Sequence, residues 1–213
     1  MDERLAMSFN LYHDRLLHLA LYGGKQNDFF VFMGLIIACS CSITYQMIQN
    51  QKRHELVFYS LRKNTAIAHI FQGKGTVITD ISSTNKTFDF SIKPTLSSKG
   101  ASLGKRVSWS DSICSPIYKV YPNFMQFGNF KILRWSPALD SVRYTKQIRV
   151  DALLLRGNPK AKLSDMLAAV NCAILLMDGS NADHRIKTWQ AEAQLLQIPY
   201  RVLKQEKAFV VKL

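Results

Sequence analysis

The last third of the chain alternates two kinds of pattern. Val150-Asp151-Ala152-Leu153-Leu154-Leu155 is a nearly unbroken apolar run that stops at Arg156-Gly157-Asn158-Pro159. Residues 163–170 follow with Leu163, Met166, Leu167 and Val170 at helical spacing. A second apolar run, Cys172 to Met177, then stops at Asp178-Gly179-Ser180-Asn181. Residues 182–197 carry Ile186, Trp189, Ala193 and Leu196 at helical spacing, and Pro199 bars continuation. Tyr200 to Leu203 and Ala208 to Val211 read as closing strands. Strand, helix, strand, helix predicts parallel pairing through right-handed crossovers.

Further upstream the pattern is that of hairpins. Leu56 to Tyr59 is followed by Thr65 to Phe71, the turn Gln72-Gly73-Lys74-Gly75 and a returning strand, Thr76 to Asp80. Phe124 to Phe127 and Phe130 to Trp135 flank the turn Gly128-Asn129. Between them, residues 81–116 are rich in serine and poor in periodicity, with Pro94, Gly100, Gly104 and Pro116. This predicts a long excursion with at most one or two edge strands or a short helix, either functional or disordered. The expected fold of residues 52–213 is mixed α+β: two mixed sheets, with helices 163–170 and 182–197 packed on one of them and Trp189 buried beneath.

The first 51 residues differ in kind. Phe29 to Ile48 contains 20 residues and no charge, and about 20 apolar residues match the hydrocarbon thickness of a bilayer. One transmembrane helix is predicted there, its Ser40, Ser42 and Thr44 satisfied by back-bonding to helix carbonyls. Ile36-Ile37-Ala38-Cys39 has the look of a lipoprotein cleavage box, but the apolar run continues past Cys39. Residues 1–28 read as an amphipathic interfacial segment, or the end of a larger membrane domain, with a helix over 5–22 and a turn at 23–28.

Charge adds a candidate partner. Three of the 28 Lys and Arg and four of the 15 Asp and Glu precede residue 52, leaving 25 against 11 beyond it. A domain that basic suits a polyanion or an anionic membrane surface. Arg134, Arg143, Lys146, Arg149, Arg156, Lys160 and Lys162 lie close together in sequence with Trp135 among them, a mixture able to hold a phosphate backbone and stack on bases. They form the DNA-binding candidate set; the plainer reading of such a run is a solvated face. The polar loops at the two strand ends supply Asn158, Asp178, Ser180, Asn181 and His184. Open α/β sheets place their sites at that edge, although caps and turns account for the same residues, with Asn181 expected as N-cap of the last helix.

Enzyme signatures are thin. Cys39, Cys41, Cys114 and Cys172 make no C-x-x-C pair. Among His13, His18, His54, His69 and His184, no short metal-binding spacing occurs in the soluble part. There is no nucleophile elbow, Walker loop or dinucleotide fingerprint. No metal site or cofactor is expected.

The order of parts carries a resemblance. Val57-Phe58-Tyr59, Thr65-Ala66-Ile67, Val77-Ile78-Thr79-Asp80, Gly157-Asn158-Pro159-Lys160, Asp178-Gly179-Ser180-Asn181 and Lys207-Ala208-Phe209-Val210, behind a membrane helix, resemble the carboxyl-terminal part of ComEC-type competence proteins. These are inner-membrane channels for DNA uptake, and the versions here look Bacteroidetes-like. The resemblance implies a truncated metallo-β-lactamase-like two-sheet sandwich with flanking helices. It also implies a chain cut or split from a membrane bundle and an oligonucleotide-binding-like domain. Members with an intact zinc site carry H-x-H-x-D-H after the early hairpin and His-His-Gly-Ser after the later strand. Here residues 81–127 hold no histidine, and the second position reads Arg156-Gly157-Asn158-Pro159; His184 corresponds to a third family histidine.

The expected function is therefore a non-catalytic accessory domain of a DNA-uptake channel. It would contact single-stranded DNA, with Arg156 as a fixed cation that repels zinc and attracts phosphate. Its expected setting is the bacterial inner membrane, the soluble domain periplasmic and the family's channel domain its partner. Two alternatives stand beside it: a zinc-dependent nuclease or phosphodiesterase with a depleted site at Asp80, Asp178 and His184, and a purely architectural membrane-anchored module.

Overall fold

The computed structural model describes residues 26–82, 85–142 and 144–213. The amphipathic helix expected over 5–22 lies outside them, as do His13, His18 and Arg143. The first described element is α1 (Gln26–Lys52), whose apolar stretch is left uncovered among the described residues. Phe29, Phe30 and Ile37 are each more than half exposed. The Thr44 hydroxyl donates to the Ser40 carbonyl at 2.8 Å, so its polar group is spent within the helix. Uncovered apolar surface of this length fits a bilayer as solvent.

Two sheets follow. The first contains β1 (His54–Phe58), β2 (Ala66–Phe71), β3 (Lys74–Thr79) and β4 (Ser102–Val107), with β12 (Phe209–Lys212) on the outer side of β1, giving the order β12-β1-β2-β3-β4. The second runs β11-β10-β9-β8-β7-β6-β5. Its members are β5 (Ile113–Cys114), β6 (Tyr118–Val120), β7 (Phe124–Phe127), β8 (Phe130–Trp135), β9 (Ile148–Leu155), β10 (Val170–Met177) and β11 (Tyr200–Val202). Strands β8, β9, β10 and β11 are parallel neighbours, linked after β9 and β10 by helices α3 (Leu163–Ala169) and α4 (Asp183–Leu195).

The apolar run Ala152 to Leu155 of β9 has a direct cause: there both faces of the strand are covered. Ala152 and Leu154 point to the core between the sheets, against Leu56, Phe58, Ile67 and Ile78 of the first sheet. Leu153 and Leu155 point the other way, into the core beneath α3 and α4, with Leu163, Met166, Ile186 and Trp189. Trp189 is 1% exposed, as its helical spacing predicts.

The excursion 81–116 is better built than its composition suggests. A π-helical turn (Phe88–Ile92) runs into α2 (Lys93–Ser98), and Phe88, Ile92 and Leu96 close a third core on the outer face of the first sheet. Helices therefore cover both outer faces, α3 and α4 one of them and α2 the other, the last in the excursion where at most a short helix was expected. The turn and α2 cross over from β3 to β4, which pair in parallel. The spacing i, i+4, i+8 of these three residues was present in the sequence, hidden among Ser, Thr and Lys. The β4 and β5 strands are the expected edge strands.

Strand directions give the domain two ends. At one lie the C-terminus of α1, the 72–73 turn, residues 99–102, the Gly128-Asn129 turn and Leu213. Arg53 Nη1 donates to the Lys99 carbonyl at 2.6 Å, and the Leu213 N–H to the His54 carbonyl at 2.9 Å. At the other end lie the 59–65 loop, Asp80, Trp109, Arg156 and Asp178.

One contact between neighbouring strands escaped the sequence. His54 and His69 are 15 residues apart, yet antiparallel pairing of β1 with β2 brings their Nε2 atoms to 2.9 Å. The His69 ring also lies 5.7 Å from Tyr118 and 5.0 Å from Phe127, both in the second sheet. Burial, and after it the neighbouring His54, lowers the His69 pKa from the usual 6.5 to about 4.

Two outcomes follow from this packing. Trp189→Ala empties the largest side chain in the helix–sheet core and should cost ~3–5 kcal/mol in chemical denaturation of the detergent-solubilised chain. For His69, the unfolded chain takes up a proton near pH 6.5 that the folded chain refuses until about pH 4. The stability this group contributes is complete above pH 6.5 and falls as the pH drops towards 4, by up to about 3 kcal/mol. His69→Phe should flatten that part of a plot of denaturation midpoint against pH.

Candidate nucleic-acid interface

The polar end is built where four connections meet. Strand β9 delivers Arg156, whose backbone N–H is held by the Trp135 carbonyl at 2.9 Å. Strand β10 delivers Asp178, the β1–β2 loop delivers Thr65, and β3 delivers Asp80. The Arg156 guanidinium donates to Asp80 through Nη2 and to Thr65 Oγ1 through Nε at 3.2 Å, and its Nε lies 3.7 Å from Asp178. It also lies 5.1 Å from the ring centroid of Trp109, and Arg134 lies 5.3 Å from the same ring. Trp109 reaches the cluster from the segment after β4 and donates its Nε1–H to the Thr65 carbonyl at 3.4 Å.

Asp178 is almost fully buried and well supplied with donors. Ser180 Oγ at 2.5 Å, the Ser180 N–H at 3.0 Å, Asn181 Nδ2 at 3.0 Å and the Thr65 hydroxyl all donate to it. Burial pushes its pKa up, while the Ser180 and Thr65 hydrogen bonds and the Arg156 charge act in the opposite direction. Arg134 is held by Asn123 at 3.3 Å, but its buried Nε has no hydrogen-bond partner. Burial, and then the like charge of Arg156, lowers its pKa.

The two polar turns lock together. Gly157 and Asn158 adopt positive φ of 76° and 59°, turning the chain back on itself. The Gly157 N–H then donates to Ser180 Oγ at 2.9 Å, and the Asn158 N–H to Asn181 Oδ1 at 2.9 Å. Asn181 was expected to cap α4. Its side chain instead turns inward, donating to the Leu155 carbonyl at 2.7 Å, and Ala182 stands at the cap position. Asn158 takes over part of the task, its Oδ1 accepting the Ala182 N–H at 2.6 Å. Gly179 is obligatory here, because a Cβ on it would sit 1.8 Å from the Leu61 carbonyl.

The sequence-derived candidates do not form one patch. Lys160 and Lys162 are exposed in the loop after β9, near Arg156. Lys146 and Arg149 lie at or before the opposite end of β9, so Arg149 is about 23 Å of extended strand from Arg156. Trp135 is 3% exposed and donates its Nε1–H to Asp140 at 2.9 Å. It belongs to the core and has no free face for a base, which corrects the stacking expectation. Arg156 is likewise not a free cation, since two carboxylates flank it. Exposed Arg62 and Lys63, on the loop pressed against Gly179, join this end and were missed. Nothing in the sequence says that the β1–β2 loop and the β10 turn share an end until the sheets are paired.

The zinc expected of intact family members needs at least three converging ligands. Among the described residues no such group of His, Cys, Asp or Glu occurs. Asp80 and Asp178 carry a guanidinium between them, and His184 is exposed on the first turn of α4. The donor set does not fit the metal.

Against known proteins, the family model for the ComEC C-terminal domain matches residues 56–213, about three quarters of the chain. No curated protein matches it. The match spans both sheets, both polar turns and α2, α3 and α4. The chain belongs to the ComEC C-terminal domain family, that of the membrane proteins of competence DNA uptake.

Proposed function

We propose that the chain is a non-catalytic, DNA-contacting domain of a competence channel, anchored in the inner membrane by α1, with the sheets on the periplasmic side. The observation that carries this reading is the Arg156 guanidinium held between Asp80 and Asp178, at the strand ends where the resemblance would put the metal of intact members. A carboxylate pair that already holds a fixed cation has less need of zinc to balance its charge, and among the described residues no imidazole joins it to complete a coordination shell. The four-layer order, with helices outside two facing sheets, agrees with a metallo-β-lactamase-like scaffold that has lost its metal ligands.

DNA contact then falls to the cations that remain free. Arg62, Lys63, Lys160 and Lys162 are exposed around the polar end, and none is paired with a carboxylate among the described residues. Such a rim tracks a phosphate backbone without reading sequence. Single-stranded DNA in transit through a channel is the polyanion this arrangement suits, with the channel domain of the same family as neighbour.

Binding of single-stranded DNA by the full chain in detergent should weaken with salt. Lys63→Ala and Lys160→Ala should each reduce the slope of log affinity against log salt by ~0.7. Arg156→Ala should leave that slope unchanged, because its charge is already balanced. It should cost ~3 kcal/mol of stability by stranding buried Asp178. Salt-independent or undetectable binding would favour a purely architectural role. Stoichiometric zinc in the purified chain, or DNA cleavage abolished by His184→Ala, would overturn the non-catalytic reading.

A further inference from the structure

The cations at the opposite end of the domain have no part in that reading. Lys52, Lys74, Lys131, Lys146, Arg149 and Lys212 are exposed at or near the ends of strands on the α1 side. Among the described residues none of them pairs with a carboxylate. Of the acidic side chains on those strand ends, Glu55 is buried and bound to Lys99 at 2.5 Å, and Asp151 accepts the Lys131 N–H at 2.7 Å. Leu103, beside Gly75 at the start of β4, is 43% exposed.

We propose that this end of the domain is seated on an anionic lipid surface, the six cations lying among phosphate headgroups. The proposal rests on α1 crossing the membrane, and its geometry comes from how α1 joins the sheet. Only Arg53 separates the last residue of α1 from the first of β1. Arg53 is tied to the Lys99 carbonyl and stands 3.8 Å from Glu55. Asn50 packs on Gly100 so closely that a Cβ there would meet its Nδ2 at 2.0 Å. The junction therefore leaves the domain no slack to swing away from the helix.

Depth follows from the helical rise. The apolar run ends at Ile48, and Asn50 lies about 3 Å further along the axis. A headgroup layer is roughly 5–7 Å thick on each side of the hydrocarbon. Gly100, which touches Asn50, is then inside the headgroup layer. The 72–73 turn is there too, because the Ser102 N–H donates to the Gly73 carbonyl at 2.9 Å. Free ammonium groups at that depth meet lipid phosphate before any other anion, and each contributes about a fivefold preference for an anionic surface. The polar end with Arg62 and Lys160 stands one strand length away, about 20 Å above the headgroups.

The test compares the full chain in vesicles of phosphatidylcholine alone and in vesicles that also contain phosphatidylglycerol, read by amide hydrogen exchange. In the anionic vesicles the 72–74 and 128–131 segments should exchange several-fold more slowly, and high salt should abolish the difference. The triple variant Lys74→Glu, Lys131→Glu, Lys212→Glu should exchange at the neutral-vesicle rate in both. Equal exchange in the two wild-type samples, or slowing confined to the 156–162 and 178–182 turns, overturns the proposal without any variant. Slowing of 72–74 and 128–131 by single-stranded DNA in neutral vesicles, with none by phosphatidylglycerol, overturns it in favour of a second DNA face. Alkaline extraction separates the two levels. A chain that leaves the vesicles refutes the membrane reading of α1, whereas one that stays and exchanges equally refutes only the seated face.

Discussion

Two-sided burial of β9 and β10 is the constraint on which the rest of the structure depends. Over their carboxyl-terminal halves the strands leave little for water: Ala152, Leu154 and Leu176 fill the space between the sheets, and Leu153, Leu155, Leu175 and Met177 fill the space beneath the helices. Strands of that kind pair in parallel and need crossover helices, which α3 and α4 supply. Parallel pairing in turn brings the carboxyl ends of β8, β9 and β10 to one edge. Arg156 and Asp178 meet there because their strands run the same way, with Met177 opposite Leu155 in the register.

The same edge is where the two sheets are fastened by charge. Arg156 comes from the second sheet, while Asp80 and Thr65 come from the first. A guanidinium suits this place because its planar fork can serve several acceptors at once. The cluster sets one internal cation between two carboxylates, with Arg134 also near the Trp109 ring. The carboxyl edge of the parallel strands thus serves as a joint between the sheets, and the loops around it carry exposed charge.

Much of this was legible in the sequence, and the unread parts share a cause. The tail from Val150 onward was read almost residue for residue, because two-sided strands and amphipathic helices leave strong periodic signals. The apolar length of α1 was equally plain. Asn181 obeyed the local rule for a helix cap, but a tertiary demand prevailed: the buried Leu155 carbonyl needed a donor. Phe88, Ile92 and Leu96 were masked by polar neighbours whose composition resembled a loop. His54 with His69, and Arg62 beside Gly179, depend on which strands pair, a long-range property that no short spacing encodes. The basic stretch looked single because sequence proximity was taken for spatial proximity, and an eight-residue strand is long enough to divide it.

The pairing of β1 with β12 carries a kinetic consequence. Phe58 lies opposite Phe209, so the first strand after the membrane helix is completed by one made about 150 residues later. Until β12 has been made, β1 presents an open hydrogen-bonding edge, Val57 to Phe58 apolar and unshielded. Closing a loop of that length is slow in comparison with local helix formation. During synthesis β9, α3, β10 and α4 can assemble among themselves, while the first sheet waits for β12. The outer edge of β1 is therefore the last part of the first sheet to be protected, and the first at risk of pairing with a neighbouring nascent chain.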